Sequence, residues 1–105
     1  MMLLSNTETI TGKNIVKFCG VVSGSTVRAK HLGRDIMAGF KNIVGGELSS
    51  YTELLQESRQ EATTRMVTAA QRLGANAVVN VRYTTSSVAQ GAAELFAYGT
   101  AVEVD

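Results

Sequence analysis

Apolar and polar residues alternate from Ile15 onward. Val16, Phe18, Gly20 and Val22 share one parity, and Lys17, Cys19, Val21 and Ser23 the other. A period of two predicts a strand. The apolar parity then shifts, so that Val27 and Ala29 become the inward candidates and Arg28 and Lys30 the outward ones. One extra residue near Ser23-Gly24 would produce that shift, and a glycine inside a strand often marks a bulge. The stretch from Ile15 to Ala29 is therefore expected to be one long bent strand or two short ones.

From His31 to Val44 the period changes. Leu32, Ile36, Met37, Phe40, Ile43 and Val44 follow a spacing of three and four, which places them on one face of a helix. Gly45-Gly46 stops it, as glycine does at helix C-termini. Ser50-Tyr51-Thr52-Glu53 has the form of a capping box and predicts a second helix running to about Leu73. Its inward face would hold Tyr51, Leu54, Leu55, Ser58, Ala62, Met66, Ala69, Ala70 and Leu73, with Gly74 as the terminator.

Ala77 to Tyr83 reads as a strand, Thr85 to Gly91 as a loop, and Ala93 to Val104 as a final strand, the last two strands forming a hairpin. The final strand is apolar on both faces: Phe96, Tyr98, Val102 and Val104 on one, Leu95, Ala97, Gly99 and Ala101 on the other. A strand of that kind must be covered on both sides. Two helices cover one side of a small sheet, and the expected second cover is another subunit. The predicted fold is α+β, a bent antiparallel sheet with two helices in the order β-α-α-β-β. A short first strand within Leu3–Ile10 is compatible with it.

Composition narrows this further. At 105 residues the chain fits one domain, residues 1–105. Aromatics make up only 6% and Trp is absent, so the core must be small and aliphatic. The net charge of +1 argues against a dedicated nucleic-acid binder. The charge is unevenly placed. Lys13, Lys17, Arg28, Lys30, Arg34 and Lys41 face only Asp35 in their stretch, while Glu47, Glu53, Glu57 and Glu61 follow later. Two solvated faces of opposite sign would explain the pattern, and so would an anion site. The single cysteine, Cys19, excludes an intrachain disulfide and suits a reducing compartment. The first residues lack the basic and apolar regions of a signal peptide, and no apolar run has membrane-spanning length. A cytoplasmic location with no membrane partner is expected.

The run from Val27 to Glu47, with its Arg34-Asp35-Ile36 and Ile43-Val44-Gly45-Gly46 blocks, resembles the YbjQ-like family. Tyr51-Thr52, Glu57-Ser58-Arg59, Glu61-Ala62, Leu73 to Val79 and Tyr98 to Val102 extend the resemblance over nearly the whole chain. Members are small bacterial and archaeal proteins labelled as heavy-metal-binding. The resemblance implies an α+β fold like the dodecin subunit and assembly into rings, typically pentamers. Lys17, Ser25 and Arg82 stand where the better-known branch tends to carry acids.

Cys19 and His31 are the candidate metal ligands. No CxxC, HxxxH or HExxH spacing exists, so one chain lacks the four ligands of a structural zinc site, whereas a ring could bring several copies together. A packed free thiol and a histidine near a helix start would equally account for the two residues. The candidate ligand-binding set is His31, Arg34, Asp35, Arg28, Lys30, Gly45 and Gly46. In it a guanidinium, a titratable imidazole and a glycine turn before a helix would meet an anion. A structural ion pair and an interhelical turn are the plainer readings of the same residues. No catalytic constellation is visible. The expected function is a homo-oligomeric, pentameric ligand-binding protein taking a heavy metal or small anion at subunit interfaces. The alternative is a small enzyme whose site is shared between subunits and uses His31, Arg34 and Asp35.

Overall fold

A computed structural model of the protein describes residues 1–28, 48–89 and 92–105. These residues form β1 (Leu3–Leu4), β2 (Ile15–Arg28), α1 (Leu48–Arg72), β3 (Ala77–Ala89) and β4 (Ala92–Val104). The sheet has four strands in the spatial order β1-β3-β4-β2. β4 pairs antiparallel with both β2 and β3, while β1 pairs parallel with β3 through Leu3↔Ala77 and Leu4↔Val78.

This corrects the expected β-α-α-β-β antiparallel arrangement. Among the described residues the order is β-β-α-β-β, with one helix and a mixed sheet. The parallel pair arises because the N-terminal residues run along β3 in its own direction. Leu3 N–H donates to Asn76 O, Ser5 N–H to Val78 O, and Val81 N–H to Ser5 O, at 2.9–3.1 Å. The span expected to form the first helix, His31–Val44, lies outside the described residues.

One face of the sheet carries α1. Ser58, Ala62, Met66 and Ala70 are buried at a spacing of four along the helix. Three of these are small, which lets the helix backbone come close to the strand beneath. Gly24 of β2 lies where it does so: a Cβ there would overlap the Ala62 carbonyl and the Met66 amide. Gly24 therefore marks a close approach rather than the expected bulge. The register shifts of β2 fall earlier, between Ile15 and Lys17 and between Phe18 and Gly20. Beyond them the parity is regular, so Val22, Gly24 and Thr26 are buried and Val27 is exposed, not inward. Thr26 is buried because its hydroxyl donates to the Ser58 carbonyl at 3.1 Å. Leu55 and Leu73, expected inside, are exposed.

α1 is already helical at Leu48, which puts Ser50 inside the helix rather than at its cap. Its end follows the expectation. Gly74 has φ 82°, Ala75 N–H donates to Ala70 O and Gly74 N–H to Gln71 O, the two bonds of a Schellman motif.

The opposite face has a second, smaller core. Ala77, Val79, Val102 and Val104 are buried there, with Leu3 and Ile10 packed over them. The N-terminal residues thus supply part of the second cover. β4 divides its side chains as the alternation predicts, with Ala97 and Ala101 toward α1 and Val102 and Val104 on the other face. The expected loop at Thr85–Gly91 is instead strand as far as Ala89, paired with Ala92.

Candidate functional site

Of the residues singled out from the sequence, two lie among those described. Cys19 is a free, half-buried thiol at the second register shift of β2, packed against the α1-side core. Arg28 is the last residue of β2, paired with Ala93. Lys30, His31, Arg34, Asp35, Gly45 and Gly46 lie outside the described residues. Among the described residues no three His, Cys, Asp or Glu side chains are grouped to hold a metal ion. The described donor set, one thiol within an apolar core, does not fit a metal centre by itself.

One open groove borders the sheet face away from α1. β3 carries a bulge there: Val79 pairs with Thr100 and Arg82 with Tyr98, so Asn80 and Val81 together oppose Gly99. Asn80 takes up the extra length at φ 54°, a left-handed conformation that asparagine tolerates better than most residues. After the bulge Val81 points into the α1-side core and Arg82 lies on the opposite face. The cross-strand rows on that face are Val21–Thr100, Ser23–Tyr98–Arg82, Ser25–Phe96–Thr84 and Val27–Glu94–Ser86. Phe96 and Tyr98 form a tilted ring pair with centroids 5.5 Å apart.

Arg82 is held in place. Its Nη1 donates to Asn6 O at 2.8 Å and to Val81 O at 3.1 Å. The guanidinium thus lines a groove between the N-terminal residues Leu4–Thr7 and the β3 residues Val81–Tyr83. Hydroxyls there are tied to one another: Ser5 Oγ accepts from Thr7 N–H and lies 2.5 Å from Thr7 Oγ1, which donates to Thr9 O. Tyr83 points the other way, and its hydroxyl meets Thr63 Oγ1 of α1 at 2.8 Å. Sequence reading placed Phe96 and Tyr98 on one face but did not select them, or Arg82, as site residues. The available signal was a charged residue between two apolar ones, Val81 and Tyr83, in a strand next to a two-sided apolar strand.

A family model described as "Putative heavy-metal-binding", YbjQ, matches residues 2–105. The chain belongs to the YbjQ family. A UPF0145 protein of Hahella chejuensis is 68% identical over 99% of this chain and 100% of its own length. A UPF0145 protein of the archaeon Archaeoglobus fulgidus is 56% identical over 98% of this chain and 95% of its own. A crystal structure of a Pediococcus pentosaceus protein of unknown function, of the DUF74 family, shares the fold at a TM-score of 0.64 with 16% identity. The likeness covers 99% of this chain and 98% of that one. YbjQ membership bears out the family resemblance read from the Arg34-Asp35-Ile36 and Ile43–Gly46 blocks. No helix among the described residues is long and apolar enough to cross a membrane.

Proposed function

We propose that this YbjQ-family protein is a homo-oligomeric ligand-binding protein whose ligand, a heavy metal or small anion, sits where subunits meet. The observation that supports assembly is the exposed apolar row on β2. Phe18 is 67% exposed and Val21 74% exposed, with Ile15 and Val27 on the same side of the strand. Among the described strands β2 lies at the edge of the sheet, so this row borders a strand edge as well as exposed apolar surface. Burying a valine or phenylalanine side chain contributes roughly 1.5–3 kcal/mol, so a few such residues from each copy supply a substantial association energy. The number of subunits is taken as five from the family resemblance.

The metal reading relies on assembly. One described thiol per chain cannot coordinate a structural ion, and several copies of Cys19, with His31, would have to converge. The anion reading relies on the basic stretch from Arg28 to Lys41, repeated by symmetry around a shared axis. Light scattering behind size-exclusion chromatography tests the assembly. The wild type should elute as a closed oligomer, and Val21→Lys should shift it to monomer while leaving its circular dichroism unchanged. A wild-type monomer at micromolar concentration would end this reading.

A further inference from the structure

We propose that Tyr98 and Arg82, on the sheet face away from α1, form a site for a small planar aromatic phosphate of the mononucleotide class. It uses none of the residues from Arg28 to Lys41, and it neighbours the β2 row proposed above as a subunit contact, so it requires that assembly leave Tyr98 and Arg82 open. Three observations carry it.

The first is the platform. β4 is an inner strand, and its face away from α1 presents Phe96 and Tyr98 at alternate positions, their rings 5.5 Å apart and inclined by 32°. Phe96 is half-buried and braces its neighbour, while Tyr98 is 37% exposed. Exposed rings on a sheet backed by a helix are the surface on which nucleobases stack, and stacking tolerates any base because each has a π face.

The second is the charge. Arg82 is the direct cross-strand partner of Tyr98. Its guanidinium does not lie back over the ring, because Nη1 is bonded to Asn6 O and Val81 O on the β1 side. The positive end is thereby fixed to one side of the ring, as a phosphate is displaced from its base by the sugar between them. Arginine carries five N–H donors. Those of Nη2 and Nε have no partner among the described residues, and no described carboxylate forms an ion pair with Arg82. A planar fork held on one side and open on the other suits bidentate contact with a phosphate.

The third is what surrounds them. Ser23 flanks Tyr98 on β2, and Thr84 flanks Phe96 on β3, both exposed on the same face. Their hydroxyls offer donors and acceptors to a sugar. The one carboxylate in these rows is Glu94, and the Ser25–Phe96–Thr84 row separates it from Arg82. A strand of nucleic acid would need a longer basic track than one arginine, so the commitment is to a free mononucleotide.

The test is an amide NMR titration of the full chain with AMP, adenosine and inorganic phosphate at low salt, with light scattering in parallel. AMP should shift the amides of Ser23, Arg82, Phe96 and Tyr98. Adenosine and phosphate should each bind at least roughly tenfold more weakly, since each engages one half of the site. Arg82→Gln should reduce AMP to the adenosine level, and Tyr98→Leu should reduce it to the phosphate level. Arg82→Lys should recover only part of the loss, because an ammonium cannot form the fork. The proposal fails if AMP binds no better than phosphate, if the shifts fall elsewhere, or if Arg82→Gln leaves AMP binding unchanged. Light scattering separates this result from the assembly reading, since a monomer with a working site would overturn only the latter.

Discussion

Gly24→Ala is a one-methyl change with a large expected effect. Gly24 has no left-handed φ, so alanine suits its backbone, and the whole cost is space. The added carbon would overlap Ala62 O and Met66 N and lie 2.8 Å from Arg65 Cβ. The first two are backbone atoms of α1 and cannot rotate aside. Relief requires the helix to rise by roughly 1 Å, which forfeits much of the dispersion contact beneath it. Ser58, Ala62, Met66 and Ala70 would loosen together, and the 3.1 Å bond from Thr26 to Ser58 O would stretch. Overpacking costs about 1–3 kcal/mol and the weakened buried hydrogen bond about 1, so the loss should be about 2–4 kcal/mol. For a domain of this size that corresponds to a melting point lower by roughly 10–25 °C. Urea unfolding followed by circular dichroism, at one protein concentration throughout, gives the number directly. Gly74→Ala is the control: nothing lies within 4 Å of its new Cβ, and only the φ of 82° opposes it. Its cost should stay near ~1 kcal/mol, that of a left-handed alanine. If Gly24→Ala costs no more than Gly74→Ala, α1 does not rest on β2 as described.

Two further outcomes follow from single residues. Asn76 holds the end of β4 with both halves of its amide, accepting from Val104 N–H at 2.7 Å and donating to Val104 O at 2.8 Å. Asn76→Ala should cost about 1–3 kcal/mol in urea unfolding, and Asn76→Asp, which keeps only the acceptor, should fall between. At Asn80, φ 54° excludes β-branched residues, so Asn80→Val should lower stability by about 1–2 kcal/mol while Asn80→Gly stays within ~0.5 kcal/mol in thermal melts.

Much of the sheet was legible because long stretches of its strands alternate. The two faces of β4 came directly from that period. The end of α1 was equally plain, since glycine is the residue that most readily takes the left-handed position that Gly74 fills. The failures in β2 share a cause, which is that only the apolar residues of that strand were taken as inward. Thr26 is buried by a hydrogen bond to α1, a partner 32 residues away that no local pattern reveals. With Thr26 set aside, Val27 took its place and Gly24 looked like a bulge. The polar loop expected from Thr85 onward failed similarly, since Thr85 and Ser86 continue an exposed strand whose polarity reflects solvent rather than a turn. The parallel β1–β3 pair was invisible because two residues carry no period. As for the site, Arg82 reads as an ordinary exposed charge until its two carbonyl partners are seen, and one of them, Asn6, lies 76 residues earlier.

The strand order has a consequence for how the protein is made. β4 is the last of the described strands in sequence yet lies between β2 and β3, which do not pair with each other. A chain emerging from the ribosome without residues 92–104 therefore holds, among the described strands, only the two-residue pairing of β1 with β3. Among the described strands β2 then has none to pair with, and α1 has only part of a surface to pack on. Formation of the sheet should therefore wait until residues 92–104 have been made, and it joins distant parts of the chain. In the interval β2 is an exposed apolar segment, which gives a chaperone that recognises such segments its reason to engage the nascent chain.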